Sequence, residues 1–389
     1  MSERHQAEPA ENFCNSLKDV RTRQQLSQGD LAQRAGITRQ AISAIESNLY
    51  LPTTAVALRL ASVLDCRVED LFSLSESNDI MEGHFVVNGP SNAFRGSSIR
   101  VKVAKVGGRT VVRSVAGLGE VLSYAVPADG YVVEGKSGRA GQQVRVRLSR
   151  NRRAIEREIA VAGCDPAIFL AGEHLRLQKD DSTVVGWAMG SMAALEALQR
   201  GEVHVAGVHL FDSVTGESNL PFLRRILKSR RYDVVTFATW EEGFLVRPGN
   251  PKSIRSAADL TESSVTLVNR EEGAGARLLL DQRLRAAGID ARQVRGYETV
   301  VSSHFEVARA VAGHQADVGV GIKSAAQLFG LDFVPLQSAR YDLVVPKAYL
   351  TSHPTLSHFF DTLANRRFRT EIEALGGYDT RETGKSHAL

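Results

Sequence analysis

Apolar residues in the first 72 positions recur at helical spacing with short breaks between the runs. Phe13, Leu17 and Val20 fall at i, i+4 and i+7 and mark one face of a first helix. Ser27, with Asp30 three residues on, reads as the capped start of a second. Thr38 caps a third over 38–46, with Ile42 and Ile45 on its apolar side, and Pro52, Thr53 and Thr54 open a further helix carrying Val56, Leu60 and Leu64. The polar stretch SLSESND (73–79) reads as a linker. From about 83 the pattern shortens to β-type runs: RVKVAKV, RTVVRSV, EVLSYAV, GYVVE and QQVRVRL. Gly107-Gly108, Pro127-Ala128-Asp129-Gly130 and Gly135-Lys136-Ser137-Gly138 separate several of them as turns. RNRRAIERE then reads as a short basic helix, and from about 161 strands alternate with helices as in βαβ units. The last dozen residues, including RETGKSHAL, read as a frayed tail. The expected fold is multi-domain: an all-α domain over 11–72, a small basic β-rich domain over 83–150 and an α/β domain over 161–365.

The second and third helices carry specific chemistry. Leu31, Ala32, Ala35, Ile37, Ile42 and Ile45 supply a tight helix–helix contact, and Gly36 supplies the turn between them. That leaves Arg39, Gln40 and Ser43 on the opposite face, where Arg can pair with guanine and Gln with adenine. The alternative is an ordinary helical hairpin with a solvated polar face. Residues 11–72 resemble the Cro/repressor (XRE) family of helix-turn-helix DNA-binding domains, with Gln28, Ala32, Gly36, Ile42 and Glu46 on its pattern. The resemblance implies that Gln28 contacts phosphate, that Thr38 offers its hydroxyl to the backbone, and that Arg39, Gln40 and Ser43 face the major groove of a double-stranded operator. One short recognition helix reads few bases, so a homodimer on two half-sites is expected.

In the α/β half, small residues stand at two strand-to-helix junctions, Gly190-Ser191 and Gly273-Ala274-Gly275-Ala276. Such junctions let backbone N–H groups approach a ligand, and the helix start favours an anion. Two of them in successive α/β halves suggest a cleft between lobes. AGVHLFD followed by Asn219, the PGNP turn, NREEGAGAR and AVAGHQADVGVGI resemble the cytoplasmic periplasmic-binding-protein-like (PBP-like, type II) domains related to molybdate-binding proteins. The resemblance implies two lobes that close on a small ligand. Its contacts would come from Ser191, His209, Asn219, Ala274, Gly275, Ala276, Arg277, Tyr297 and His304, and its effector would be a small anion such as molybdate or tungstate. Each residue has a plainer alternative: helix caps for Ser191 and the Gly-Ala run, satisfied partly buried side chains for the histidines. Asp317 reads as a residue that holds its lobe together. Related domains place Ser and Thr in a GSGTR-like helix start where this chain has Ala274 and Ala276, and Glu271 and Glu272 oppose an anion there. A regulator whose α/β half has lost its ligand and serves assembly alone therefore remains an alternative.

Charge and composition change this picture in three places. Residues 1–75 carry 8 basic and 9 acidic side chains, so the DNA-reading domain supplies little phosphate affinity, although Arg21, Arg23, Arg34 and Arg39 offer a local positive surface. Residues 81–160 carry 14 basic and 6 acidic, with Arg145, Arg147, Arg150, Arg152, Arg153 and Arg157 close together. They form either a solvated face or additional phosphate contacts. Cys14, Cys66 and Cys164 lie far apart in no CxxC or Cys/His cluster, so reduced buried thiols, no metal site and no cofactor are expected. No run of eighteen apolar residues and no secretory h-region occur, which points to the cytoplasm and away from a membrane. GxSxG, P-loop and HExxH motifs are absent, so an enzyme is not expected.

Overall fold

The helix-turn-helix pattern folds by local interactions that the computed structural model resolves residue by residue. The structure describes residues 13–74, 80–86, 99–118, 120–138, 141–178, 182–212, 214–227 and 231–389. Most of the linker read at 73–79 lies outside them. Residues up to Asp79 make one compact unit, and Ile80–Leu389 a second.

The first unit holds α1 (Leu17–Arg23), α2 (Gln28–Ala35), α3 (Arg39–Glu46), α4 (Thr54–Val63) and α5 (Val68–Leu71). At the start of α2, Asp30 N–H donates to Ser27 Oγ and Ser27 N–H to Asp30 Oδ2, so two otherwise orphaned donors are satisfied reciprocally. Gly36 ends α2 at φ 66°, a left-handed conformation that an L side chain would strain. Thr38 and Thr53 cap α3 and α4 through their hydroxyl oxygens. Leu17, Leu31, Ile42, Ile45, Leu60 and Leu64 are fully buried in the common core. Phe13 departs from the expected first helix: it opens strand β1 (Phe13–Asn15), which pairs antiparallel with β2 (Phe72–Leu74) and closes the unit's two ends on each other. The helix waits until Leu17 because Asn15 Oδ1 accepts from Leu17 N–H at that point.

The second unit begins with a closed barrel of β3 (Ile80–Val86), β4 (Arg100–Val106), β5 (Arg109–Ser114), β6 (Gly130–Gly138) and β7 (Gly141–Leu148), in the order β3-β5-β4-β6-β7. Strand β4 is buried on both faces. Val101 and Val103 fill the barrel with Val112, Val144 and Val146, while Ala104 and Val106 join the core of the first α/β lobe. Lys102, also buried, is met by Asp129 (2.7 Å) and Glu158 (2.9 Å), and Arg150 reaches the same two carboxylates. Arg150 is thereby committed to this buried network and is not a free phosphate contact, and Arg145 pairs with Glu134. EVLSYAV, expected as a strand, is a helix over Glu120–Ala125. A short apolar run fits either state, and tertiary contacts decide.

The α/β part is a sheet in the order β13-β12-β14-β11-β15-β10-β8-β9. Its strands are β8 (Ile159–Gly163), β9 (Val184–Ala188), β10 (Val205–Val208), β11 (Tyr232–Val246), β12 (Leu267–Arg270), β13 (Val300–Val301), β14 (Val318–Ile322) and β15 (Asp332–Pro346). The 15-residue strands β11 and β15 pair antiparallel along their length and belong to both lobes. One end of the ribbon joins β10, and the other joins β14. Register shifts at Thr236/Ala238 and Glu242/Gly243 bracket the crossing point. The C-terminal residues are not a frayed tail: β16 (Tyr378–Asp379) and β17 (Ser386–His387) both pair with β11, and Thr383 Oγ1 donates to Phe237 O at 2.7 Å. Among the described residues no helix is long and apolar enough to cross a membrane.

Candidate functional site

Two places in the molecule present polar chemistry that the fold does not use. The first is the outer face of α3. Burying Ile42 and Ile45 turns Thr38, Arg39, Gln40 and Ser43 outward, and all four are exposed. Among the described residues no hydrogen bond or ion pair is formed by the Arg39, Gln40 or Ser43 side chain. Gln28 is half-buried and donates to Glu46 Oε2 (2.8 Å). The same carboxylate takes Arg21 at 2.6 Å, which removes Arg21 from the positive surface expected of it.

The second is the junction of the two lobes, where loops after several strands converge, as ligand sites in α/β sheets do. Cys164 follows β8, His209 follows β10, Arg270 ends β12 and His304 begins the helix His304–Ala312 after β13. Trp240 and Glu242 come from the crossing point of β11, and Tyr341 from β15. All seven are buried. The His209 ring lies 5.2 Å from Trp240, 5.6 Å from His304 and 6.1 Å from Tyr341, centroid to centroid. His209 Nδ1 is 2.9 Å from Glu242 Oε1. Among the described residues, both ring nitrogens of His209 and of His304, Trp240 Nε1, Glu242 Oε1 and Arg270 Nη1 have no hydrogen-bond partner.

Burial works against charge on His209, but the Cys164 sulfur and the Glu242 carboxylate outweigh it and push the imidazole up to about 10. His304 moves the other way, held well below the ordinary histidine range by burial and by the charges of Arg270 and His209. Burial also lifts Asp165 to about 6, against the Ala167 N–H and the Tyr378 hydroxyl that donate to it.

Of the residues singled out from the sequence, Ser191, His209, Ala274, Gly275, Ala276 and His304 come to this junction or its edge. Ser191 Oγ accepts from His209 N–H at 3.0 Å. A Cβ at Gly275 would stand 2.1 Å from His209 O, so only glycine lets that helix start meet the loop. Ala274 and Ala276 are buried beside it. Asn219 is spent on structure: its Oδ1 accepts from Leu210 N–H, and its Nδ2 donates to Arg340 O and Asp342 Oδ2. Arg277 and Tyr297 pair with each other, the guanidinium 3.9 Å above the ring, and Tyr297 donates to Asp281. Asp317 ties Arg247 to the Thr266 N–H. The histidines are not satisfied core residues. The expectation of no Cys/His cluster is also corrected, since Cys164, His209 and His304 offer ligand atoms within 4.8 Å of one another. Sequence reasoning does not single out Cys164, Trp240, Glu242 or Arg270 for this site, and the signal that could find Cys164 and Arg270 is their place at strand ends. Beside the junction a cleft of about 560 Å³ opens between Gly190, Arg113, Arg200, Glu202, Glu271 and Ser302.

Residues 172–364 match the PBP superfamily domain and residues 17–71 a helix-turn-helix family model. The uncharacterized protein YvgK of Bacillus subtilis is 31% identical over 227 residues, 58% of this chain and 72% of that one. The uncharacterized HTH-type transcriptional regulator YgzD of the same organism is 38% identical over 64 residues, 16% of this chain and 97% of its own. An ABC-type phosphate transport receptor from Vibrio cholerae covers 57% of this chain and 98% of its own, at 15% identity and a TM-score of 0.39. The chain belongs to the family in which an XRE-type helix-turn-helix regulator domain is joined to a PBP-like, two-lobed α/β domain.

Proposed function

We propose that this protein is an effector-responsive transcription regulator that acts in the cytoplasm as a homodimer. The exposed face of α3 reads a double-stranded DNA operator through Arg39, Gln40 and Ser43, with Thr38 and Gln28 at the phosphates. A small effector is taken where the two lobes meet, in contact with His209 and His304 and against the helix starts at Ser191 and Gly275. Asn219, Arg277 and Tyr297 support that site from behind. We assign no catalytic step.

The observation that carries this reading is the set of buried polar atoms without partners at the lobe junction. Each such atom costs about 1–3 kcal/mol when no group meets it. Their convergence on one point supports a ligand site and speaks against an assembly-only domain, whose junction would be apolar or fully paired. The effector acts on DNA binding only through a difference in its affinity for two states of the protein.

The test is a thermal-shift screen of the full chain against small anions and metabolites, followed by operator binding with and without each hit. A ligand that binds the folded state raises its apparent stability by mass action. The effect should be lost in His304→Leu. No stabilisation by any ligand, with wild-type DNA binding intact, would return the assembly-only alternative.

An oxyanion such as molybdate or tungstate is a second reading, favoured by the buried Arg270 guanidinium, whose Nη1 has no hydrogen-bond partner among the described residues. Calorimetric titration with molybdate, tungstate and sulfate decides it.

A further inference from the structure

We propose that Cys164, His209 and His304 bind a thiophilic d10 metal ion, zinc(II) or copper(I), that bridges the two lobes; this rests on the reading of the lobe junction as the effector site. One thiol and two imidazoles are the donor types that such ions select. The three side chains are buried, and their ligand atoms lie within 4.8 Å of one another. Tetrahedral zinc, with bonds of about 2.0–2.3 Å, would hold them roughly 3.5 Å apart, so binding needs a contraction of about an ångström.

The surroundings are those of a ligand set and not of a hydrogen-bonded core. Glu242 Oε1 stands 2.9 Å from His209 Nδ1, close to where a metal-bound histidine commonly carries an outer carboxylate. Among the described residues neither ring nitrogen of His209 nor of His304 makes a hydrogen bond, so each imidazole has a nitrogen free to face an ion. The backbones beneath are fixed. Ser191 Oγ holds the His209 N–H, Ser303 caps the helix that His304 begins, and Asp165 ties the turn after Cys164 to Ala167 and Tyr378. Cys164 and His209 belong to one lobe and His304 to the other, so the ion holds the lobes closed and its loss releases them. Three protein ligands leave a fourth position for a water.

The experiment uses the full chain stripped with a chelator, then cobalt(II) as a spectroscopic stand-in, with zinc(II) and copper(I) as competitors. One cobalt per chain is expected, with a sulfur-to-cobalt charge-transfer band and tetrahedral visible bands. Zinc or copper(I) should displace it, and whichever does so at the lower concentration is the ion selected. Cys164→Ser should abolish the charge-transfer band, Cys66→Ser should leave it unchanged, and His304→Leu should weaken zinc binding at least about 100-fold. X-ray absorption on the zinc-loaded wild type needs no variant and should show one sulfur with nitrogen or oxygen neighbours. A sulfur-free shell, a band that survives Cys164→Ser, or no binding of any of the three ions overturns the proposal. If metal fails while a small molecule stabilises the wild type and not His304→Leu, the effector reading stands and the metal falls alone.

Discussion

The outer face of α3 and the lobe junction both present polar side chains that the fold leaves unpaired, in opposite surroundings. Arg39, Gln40 and Ser43 stand in water, which satisfies them, so the reading surface costs the free protein almost nothing. His209, His304 and Arg270 are buried with polar atoms that find no hydrogen-bond partner among the described residues. Such groups weigh on stability until a ligand arrives. On the proposed reading, the first region can wait for DNA in its final form, whereas the second would gain stability on binding. A binding event that changes the stability of one arrangement is what a switch requires. Substitutions in the two regions should therefore differ widely in their effect on folding.

The largest effect belongs to a buried histidine that is fully satisfied. His204 Nδ1 accepts from Ala160 N–H at 3.0 Å, and its Nε2 lies 3.0 Å from Lys105 O, on the strand that ties the barrel to the first lobe. Burial, with His353 beside it, holds this imidazole down at about 3. The unfolded chain takes up a proton near 6.5 and the folded one only near 3, so stability is complete above pH 6.5 and declines as pH falls through that window. The loss should reach about 4 kcal/mol by pH 3, at about 1.4 kcal/mol per unit. Denaturation midpoints against pH should show the decline in wild type and a flatter profile in His204→Gln. An unchanged profile would assign the acid sensitivity elsewhere.

The next effect tests whether the first unit is as fully paired inside as it is open outside. Glu46 collects Arg21 and Gln28, and although burial disfavours its charge, their hydrogen bonds hold its carboxyl below the usual range. Glu46→Ala leaves a guanidinium that is only 12% exposed with the Leu26 carbonyl but no carboxylate, and should destabilise this unit by about 3 kcal/mol. Limited proteolysis and loss of operator binding on warming would report it. A change under about 0.5 kcal/mol would show that Arg21 finds water instead.

The two regions also differ in how they could be read from the chain. The caps at Ser27, Thr38 and Thr53 and the turn at Gly36 rest on contacts within a few residues, so spacing alone reveals them. Glu46 already departs from this, because its partners Arg21 and Gln28 are 25 and 18 residues away. At the lobe junction every defining contact is of that distant kind. His209, Gly275 and His304 could be suspected from strand-to-helix transitions and from resemblance, but nothing near Cys164 in sequence marks it as their neighbour. The sheet order that unites them depends on β11 and β15 passing through both lobes. The C-terminal residues were misread for the same reason, since their order comes from pairing with β11, about 140–150 residues away.

At the junction itself an apolar replacement should help the ligand-free protein. His304→Leu removes two buried nitrogens without partners and adds a side chain of similar size. The second unit should be unchanged or up to about 2 kcal/mol more stable without ligand, where most core substitutions cost about 1 kcal/mol. Chemical denaturation of chelator-treated protein measures this. A loss above about 2 kcal/mol would mean that the His304 ring is satisfied in solution, and the contrast between the two regions would collapse.

The smallest effect on folding is expected on α3, and there the comparison is sharpest. Arg39→Ala and Gln40→Ala remove exposed side chains that form no hydrogen bond or ion pair among the described residues, so unfolding midpoints should shift by no more than about 0.5 kcal/mol. Operator affinity should fall by about 1–3 kcal/mol per residue, or roughly 5- to 150-fold, with weakened discrimination at the base each one reads. Binding to random duplex DNA should change far less, because that part of the affinity comes from phosphates. Competition titrations of selected operator against random duplex, at matched salt, separate the two quantities. Equal losses on both would place Arg39 and Gln40 at the backbone and leave base reading to other residues. Unchanged binding on both would remove α3 from the interface, and the exposed polar face would then be a solvated surface like any other.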